Sequence, residues 1–199
     1  MPVMNRLISI PVMLFALAVV GCETDQKTDP GPTLPAISPD DPLLSLDFEE
    51  FDQTPNQGWR ILAQGGQYLE AAQLIDAYII QHPALDSNRQ RVLVFHAGQM
   101  YAFGNEYVIA RDRFRLAINP NESRDDPIRW NAYVNGTIAF LEGNKAGVVF
   151  ARSQIRAGPT VDGVKPNLNF IESFLTDVNQ SYASAYTNAR PPKLVEQSD

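Results

Sequence analysis

Few side chains of this sequence have the types and spacing that catalysis or metal binding requires. The two histidines, His82 and His96, lie 14 residues apart, and neither belongs to a His-x-x-x-His or His-Glu-x-x-His pattern. No Gly-x-Ser-x-Gly nucleophile turn and no phosphate loop of the Gly-x-x-x-x-Gly-Lys type occurs. The sequence therefore predicts no catalytic residue, no metal site and no cofactor, and it favours a protein that is not an enzyme.

The acidic segment 47–52, with the sequence DFEEFD, offers the one alternative. Two carboxylates from among Glu49, Glu50 and Asp52 could act as the general acid and the general base that cleave a glycan. The two interleaved phenylalanines instead favour a solvated amphipathic turn whose rings pack on the domain. The first interpretation implies a peptidoglycan-associated helical protein that binds glycan or acts as a weak cell-wall hydrolase.

An apolar run from Leu7 to Val20 follows the positive charge of Arg6. This order is typical of a secretory signal peptide. The run has 14 residues, whereas a helix that crosses a bilayer needs about 20, so a cleaved signal is favoured over a retained transmembrane helix.

Cys22, the only cysteine of the chain, stands two positions after this run. The sequence Val19-Val20-Gly21-Cys22 resembles the lipobox of bacterial lipoproteins. The resemblance implies that residues 1–21 are a lipoprotein signal peptide and that acyl chains on Cys22 anchor the protein to a membrane. In that family an aspartate after the cysteine retains the protein on the inner membrane, so Glu23 implies the outer membrane, with the domain facing the periplasm. The alternative is an ordinary cleavage site at Ala16-Leu17-Ala18 that leaves Cys22 as a free thiol.

Residues 22–46 contain five prolines. Proline removes a backbone donor and restricts the residue before it, so this stretch cannot form a continuous helix. We predict a tether that reaches about 60 Å when extended, at ~3.1 Å per residue, and about 25 Å when flexible.

Beyond Asp47 the apolar residues recur at helical spacing. Caps and prolines indicate the helix ends: Asp86 and Asp126-Pro127 are predicted starts, and Pro83 is a predicted stop. We predict an all-α helical-repeat domain over 47–188 and a disordered tail over 189–199. The predicted helices cover 56–65, 68–82, 87–103, 106–119, 127–142, 145–157 and 168–187, with a possible short turn at 47–52.

Equivalent residues recur 39 positions apart in this domain, as in the series Leu62, Tyr101 and Phe140. The pattern Gly66-x-Tyr68-x-x-Ala71 is similar to the turn and second-helix start of tetratricopeptide repeats. The resemblance covers 56–157 and implies an α-α superhelix of about three helix pairs with a C-terminal capping helix. The period is longer than that of the family, which implies longer loops between the pairs.

Tetratricopeptide arrays line a concave groove with the first helix of each pair and hold an extended peptide or a partner's helix there. Residue by residue, the resemblance implies a partner-binding groove formed by Arg60, Gln64, Gln99, Phe103 and Asn131. Amides offer donors and acceptors to a peptide backbone, and the Arg60 guanidinium suits a carboxylate.

Acidic residues outnumber basic ones by 23 to 16, which gives a net charge of −7. No basic run is present to hold a phosphate backbone, so we expect no nucleic-acid partner.

The sequence thus predicts a non-enzymatic outer-membrane lipoprotein whose helical domain is a protein–protein interaction adaptor in envelope assembly or secretion. Its partner would be another envelope protein or a peptide. A further alternative is a structural lipoprotein that self-associates through the aromatic residues of its last predicted helix: Phe170, Phe174, Tyr182 and Tyr186.

Overall fold

Helices carry almost all the regular structure in the computed structural model, which describes residues 37–192 and Leu194. The predicted signal peptide, Cys22 and the first part of the tether lie outside the described residues. The α-helices are α1 (Arg60–Gln64), α2 (Tyr68–Gln81), α3 (Ser87–Phe103), α4 (Tyr107–Leu116), α5 (Trp130–Leu141), α6 (Lys145–Ala157), α7 (Leu168–Phe174) and α8 (Tyr182–Thr187). A 3₁₀ turn (Pro42–Ser45) and a π-helical turn (Glu49–Gln53) precede them.

Each of the helices α1 to α8 packs against the next one along the chain. This arrangement confirms the predicted all-α class and is that of an α-helical superhelix. Small residues allow the helices to approach closely. At Gly98 an added Cβ would lie 2.8 Å from the ring of Phe114, and at Gly136 it would lie 2.5 Å from Ile171.

The ring of Phe95 on α3 is buried among aromatic rings of the next two helices. Its centroid lies 5.0 Å from that of Phe114 on α4, 4.9 Å from that of Trp130 and 5.2 Å from that of Tyr133, both on α5. These aromatic contacts join three successive helices in one apolar interior.

The first helix begins at Arg60, four residues later than predicted. Asn56 and Gly58 both have a left-handed backbone, with φ of 60° and 52°, and this geometry interrupts a right-handed helix. Gly58 also lies against the carbonyl of Phe51, where an added Cβ would come within 2.0 Å of the oxygen. The segment 54–59 is therefore a turn that folds back onto the π-helical turn.

The predicted start of α5 at Asp126-Pro127 is wrong, because α5 begins at Trp130. The Asp126 carboxylate accepts from the backbone N–H of Ser123 at 2.9 Å, so it caps the preceding loop and not the helix. The guanidinium of Arg129 binds the carbonyls of Ser123 and Arg124 and fixes the same loop.

The single helix predicted over 168–187 is also wrong, since α7 and α8 are separate helices. Asp177 accepts from the backbone N–H of Asn179 and forms a local turn after α7. Ser181 then has an extended backbone and caps α8 by accepting from the N–H of Ser184. The chain therefore reverses where the periodicity alone predicts continuity.

The ordered domain extends beyond the predicted limits of 47 and 188 at both ends. Leu44 is buried, the Tyr78 hydroxyl donates to the carbonyl of Leu46 at 3.0 Å, and the His82 Nε2–H donates to the carbonyl of Leu44 at 2.8 Å. The end of the predicted tether is thus part of the domain. In the predicted tail, Leu194 forms an isolated β-bridge with Val164.

Candidate functional site

Two residues of the predicted groove, Gln99 and Phe103, face the helix α8 of the same chain. The Gln99 side-chain amide donates to the Tyr182 hydroxyl at 3.2 Å, and Gln99 is only 6% exposed. The Phe103 ring packs edge-on against Tyr182 and Tyr186, with centroids 5.3 and 5.5 Å away. The centre of the predicted groove is therefore covered from within the molecule.

The aromatic residues of the last predicted helix also pack inside the domain. Tyr182 and Phe174 are fully buried, and Phe170 stacks on Tyr186 with centroids 4.4 Å apart. A self-association surface made of these four side chains does not agree with this arrangement, because two of them have no exposed area.

Arg60 and Gln64 lie together on α1 and make local contacts. The Arg60 Nε–H donates to the carbonyl of Asp52 at 2.8 Å, and its guanidinium lies 4.4 Å from the ring centroid of Trp59. Gln64 is exposed and donates to the side chain of Asn56 at 2.7 Å. Arg60 thus fixes the π-helical turn to α1, and Gln64 is the groove residue that remains solvated.

Asn131, the third-unit residue of the predicted groove, closes the loop between α4 and α5. Its amide oxygen accepts from the backbone N–H of Asn119 at 2.7 Å, and its amide N–H donates to the carbonyl of the same residue at 2.8 Å. Both halves of the amide are used in this pair, so the Asn131 side chain stabilises this loop.

Asp52 is a buried carboxylate at the centre of a polar cluster that we call the Asp52 cluster: Asp52, Trp59, Arg60 and His96. One carboxylate oxygen accepts from the Trp59 Nε1–H at 2.9 Å and from His96 Nδ1 at 2.7 Å. Burial by itself raises the pKa of Asp52. The hydrogen bond and electrostatic attraction of His96, together with the Trp59 hydrogen bond, outweigh burial and leave the pKa below its ordinary value.

The ionised carboxylate fixes the orientation of the imidazole, since it can only accept and Nδ1 must carry the hydrogen. The His96 side chain is about 20% exposed, and its Nε2 has no hydrogen-bond partner among the described residues. Asp52 itself is fully buried and is not part of an exposed acid pair with Glu49 or Glu50, which are both on the surface. The cluster joins the π-helical turn to α1 and α3.

A second polar network connects three helices of the array. The Arg113 guanidinium on α4 binds the Asp76 carboxylate on α2 through Nε at 2.9 Å and Nη2 at 2.7 Å, and the Tyr101 hydroxyl on α3 donates to the same carboxylate at 2.9 Å. Burial, followed by the negative charge of Asp76, raises the pKa of Tyr101 to about 12.

Replacing Asp76 with asparagine is expected to lower the free energy of unfolding by about 2 kcal/mol, because the bidentate charged hydrogen bonds are lost. The pKa of Tyr101 is expected to fall only part of the way towards 10, since burial is its largest cause. The raised pKa stabilises the folded state below pH 10, and this contribution is lost as the pH rises through about 12. Urea unfolding and an ultraviolet titration of tyrosine measure the two effects. Asp112→Asn, which removes an exposed pair with Arg115, is the control and is expected to cost less than about 0.5 kcal/mol.

An open cavity lies at the C-terminal end of the array, and we call it the C-terminal cleft. It has a volume of about 910 Å³ and is formed by α6, α7 and the segment that follows α8. Its charged side chains are Arg152, Arg156, Lys165, Glu172 and Arg190. Sequence reasoning missed this cleft because its residues come from three separate segments, and their packing is not predicted by periodicity. The available signal was the spacing of Arg152 and Arg156, which places both on one face of α6.

Comparison of the chain with family models, with curated proteins and with solved structures finds no match. The assignment to tetratricopeptide repeats therefore stays a prediction. The part of the chain that the structure describes contains no group of three or more His, Cys, Asp or Glu side chains placed to hold a metal ion. Within the same residues, every helix is too short or too polar to cross a bilayer.

Proposed function

We propose that this protein is a lipid-anchored adaptor of the bacterial outer membrane, whose tetratricopeptide-like domain binds another envelope protein on the periplasmic side. The C-terminal cleft is the observation that carries the proposal. It is open, it is within the roughly 300–1,000 Å³ range of binding pockets, and it combines charged, amide and apolar side chains.

The covering of Gln99 and Phe103 by α8 favours this cleft as the partner's site. Because α8 already packs on Gln99 and Phe103, a partner that leaves the domain intact needs another surface. The lipobox-like Val19-Val20-Gly21-Cys22 and the proline-rich stretch after it support attachment of the domain to a membrane through a spacer.

The proposal is tested by placing a photo-crosslinking amino acid at Thr176, on the rim of the cleft, in the full-length protein in its native membrane. We expect one dominant crosslinked protein from this position. A crosslinker at the exposed Gln81 at the end of α2 is the matched control and is expected to yield none of that protein. The yield is expected to fall with Cys22→Ala, which removes the predicted anchor.

Equal crosslinking from Thr176 and Gln81, or no protein above background from either, would contradict the adaptor function. Retention of the full yield with Cys22→Ala would contradict the anchored form of the proposal alone.

A further inference from the structure

The C-terminal cleft concentrates positive charge on an acidic protein. Four cationic side chains, Arg152, Arg156, Lys165 and Arg190, surround a single carboxylate, that of Glu172, whereas the whole chain carries a net charge of −7. A cleft with low-dielectric walls and an excess of one sign of charge attracts ligands of the opposite sign. The charge of this cleft therefore suits an anionic ligand.

The arginines of the cleft are already arranged around a carboxylate. One oxygen of Glu172 lies 3.3 Å from Arg152 Nε and 3.2 Å from Arg156 Nη2. A guanidinium has five N–H donors, so each arginine keeps further donors for a second acceptor. Arg190 lines the cleft and is partly exposed, and a guanidinium fork matches the two oxygens of a carboxylate.

The surface between the charges has the composition of a peptide-binding site. Leu168 and Leu175 provide apolar area, and the side chains of Asn169 and Asn188 offer donors and acceptors to a backbone. A flat anionic membrane fits the cleft less well than a peptide does, because the charged side chains line a cavity and not a flat surface.

We propose that the C-terminal cleft binds an acidic, extended peptide segment of the partner protein through Arg152, Arg156 and Arg190. This inference rests on the proposed adaptor function and adds the chemistry of the partner. The arginines pair with the carboxylates of the segment, while the amides and leucines of the cleft contact its backbone and its uncharged side chains.

The probe is a short fluorescein-labelled peptide of alternating glutamate and alanine, and binding to the full-length protein in detergent is measured by fluorescence anisotropy. We expect saturable binding that weakens as salt is raised, and no binding of the same peptide with glutamine in place of glutamate. Arg190→Glu is expected to weaken binding at least tenfold, and Arg156→Gln is a second variant with a milder change of charge. Arg124→Glu, at an exposed loop position outside the cleft, changes the net charge by the same amount as Arg190→Glu and is expected to leave binding unchanged.

Equal affinity of wild type, Arg190→Glu and Arg156→Gln would overturn the inference. Displacement of the peptide by millimolar inorganic phosphate or by phosphatidylglycerol vesicles, in preference to free acidic peptide, would also overturn it and assign the cleft to a phosphate group.

The Thr176 crosslink is repeated with Arg190→Glu to separate the two proposals. A partner captured equally well by both proteins leaves the adaptor function standing and rejects the acidic segment, whereas no capture from wild type rejects the adaptor itself.

Discussion

Replacing Asp52 with alanine is expected to lower the free energy of unfolding by about 4 kcal/mol, among the largest effects of any single substitution in this chain. The carboxylate is fully buried and accepts from Trp59 and His96. Its removal leaves these two donors without their acceptor and opens a void between the π-helical turn and α3. Urea unfolding followed by tryptophan fluorescence, which reports on Trp59 in the cluster and on Trp130 in the core, measures the loss.

The matched control is Glu50→Ala, which removes an exposed carboxylate from the same turn. It is expected to cost less than about 0.5 kcal/mol. Equal unfolding midpoints for Asp52→Ala and Glu50→Ala would contradict the assignment of the turn's stability to the Asp52 cluster.

The stability that Asp52 contributes is expected to depend on pH. Its pKa in the folded state is below the ordinary value of 3.8, so the ionised form is favoured by folding. This contribution is complete above that value and is lost as the pH falls through the lowered pKa. The difference between wild type and Asp52→Ala is therefore expected to be constant near neutral pH and to narrow in acid, which a series of urea titrations at decreasing pH measures.

Replacing Tyr182 with alanine is expected to cost about 4 kcal/mol and to release α8 from α3. The Tyr182 ring is fully buried and contacts Phe103, Phe140 and Phe174, so its loss leaves a cavity that a six-residue helix cannot refill by itself. Hydrogen exchange of the backbone amides is expected to show α8 losing protection before α2 to α5 do.

Tyr182→Phe is the control for the ring, because it removes only the hydroxyl that accepts from Gln99. It is expected to cost about 1 kcal/mol and to keep α8 protected. If the phenylalanine variant lost as much stability as the alanine variant, the hydroxyl and not the aromatic packing would hold the helix in place.

The helices with strong local signals were predictable from the sequence. The bounds predicted for α3 and α6 are confirmed, and Asp86 caps α3 as expected by accepting from the N–H groups of Asn88 and Arg89. Such caps act within a few residues, so a short segment of sequence is enough to predict them. The start of α5 and the separation of α7 from α8 were mispredicted because aspartate and serine can cap a loop as well as a helix. Asp126 caps the loop before α5, and Ser181 begins a new helix inside the predicted one.

The polar sites were not predictable for a different reason. Asp52 and His96 are 44 residues apart in the chain, and Gln99 and Tyr182 are 83 apart. Helical periodicity identifies which face of each helix is apolar, but it does not specify which distant segment covers that face. The aromatic residues of α8 recur at the spacing of a buried helix. The turn at 175–181, which periodicity does not predict, brings them against α3 and α7.

The packing of α8 on α3 can form only late in the synthesis of the chain. A growing chain exposes its N-terminal helices first, and the segment that covers Gln99 and Phe103 is made about eighty residues later. Until that segment is made, the side chains of Gln99 and Phe103 are open to water and to chaperones. Contacts of such long sequence separation form slowly, so the nascent protein has a period in which it is helical but not yet closed. A stop codon shortly before Ser181 would therefore make this transient state permanent, and the truncated product would present an apolar surface that the complete protein never shows.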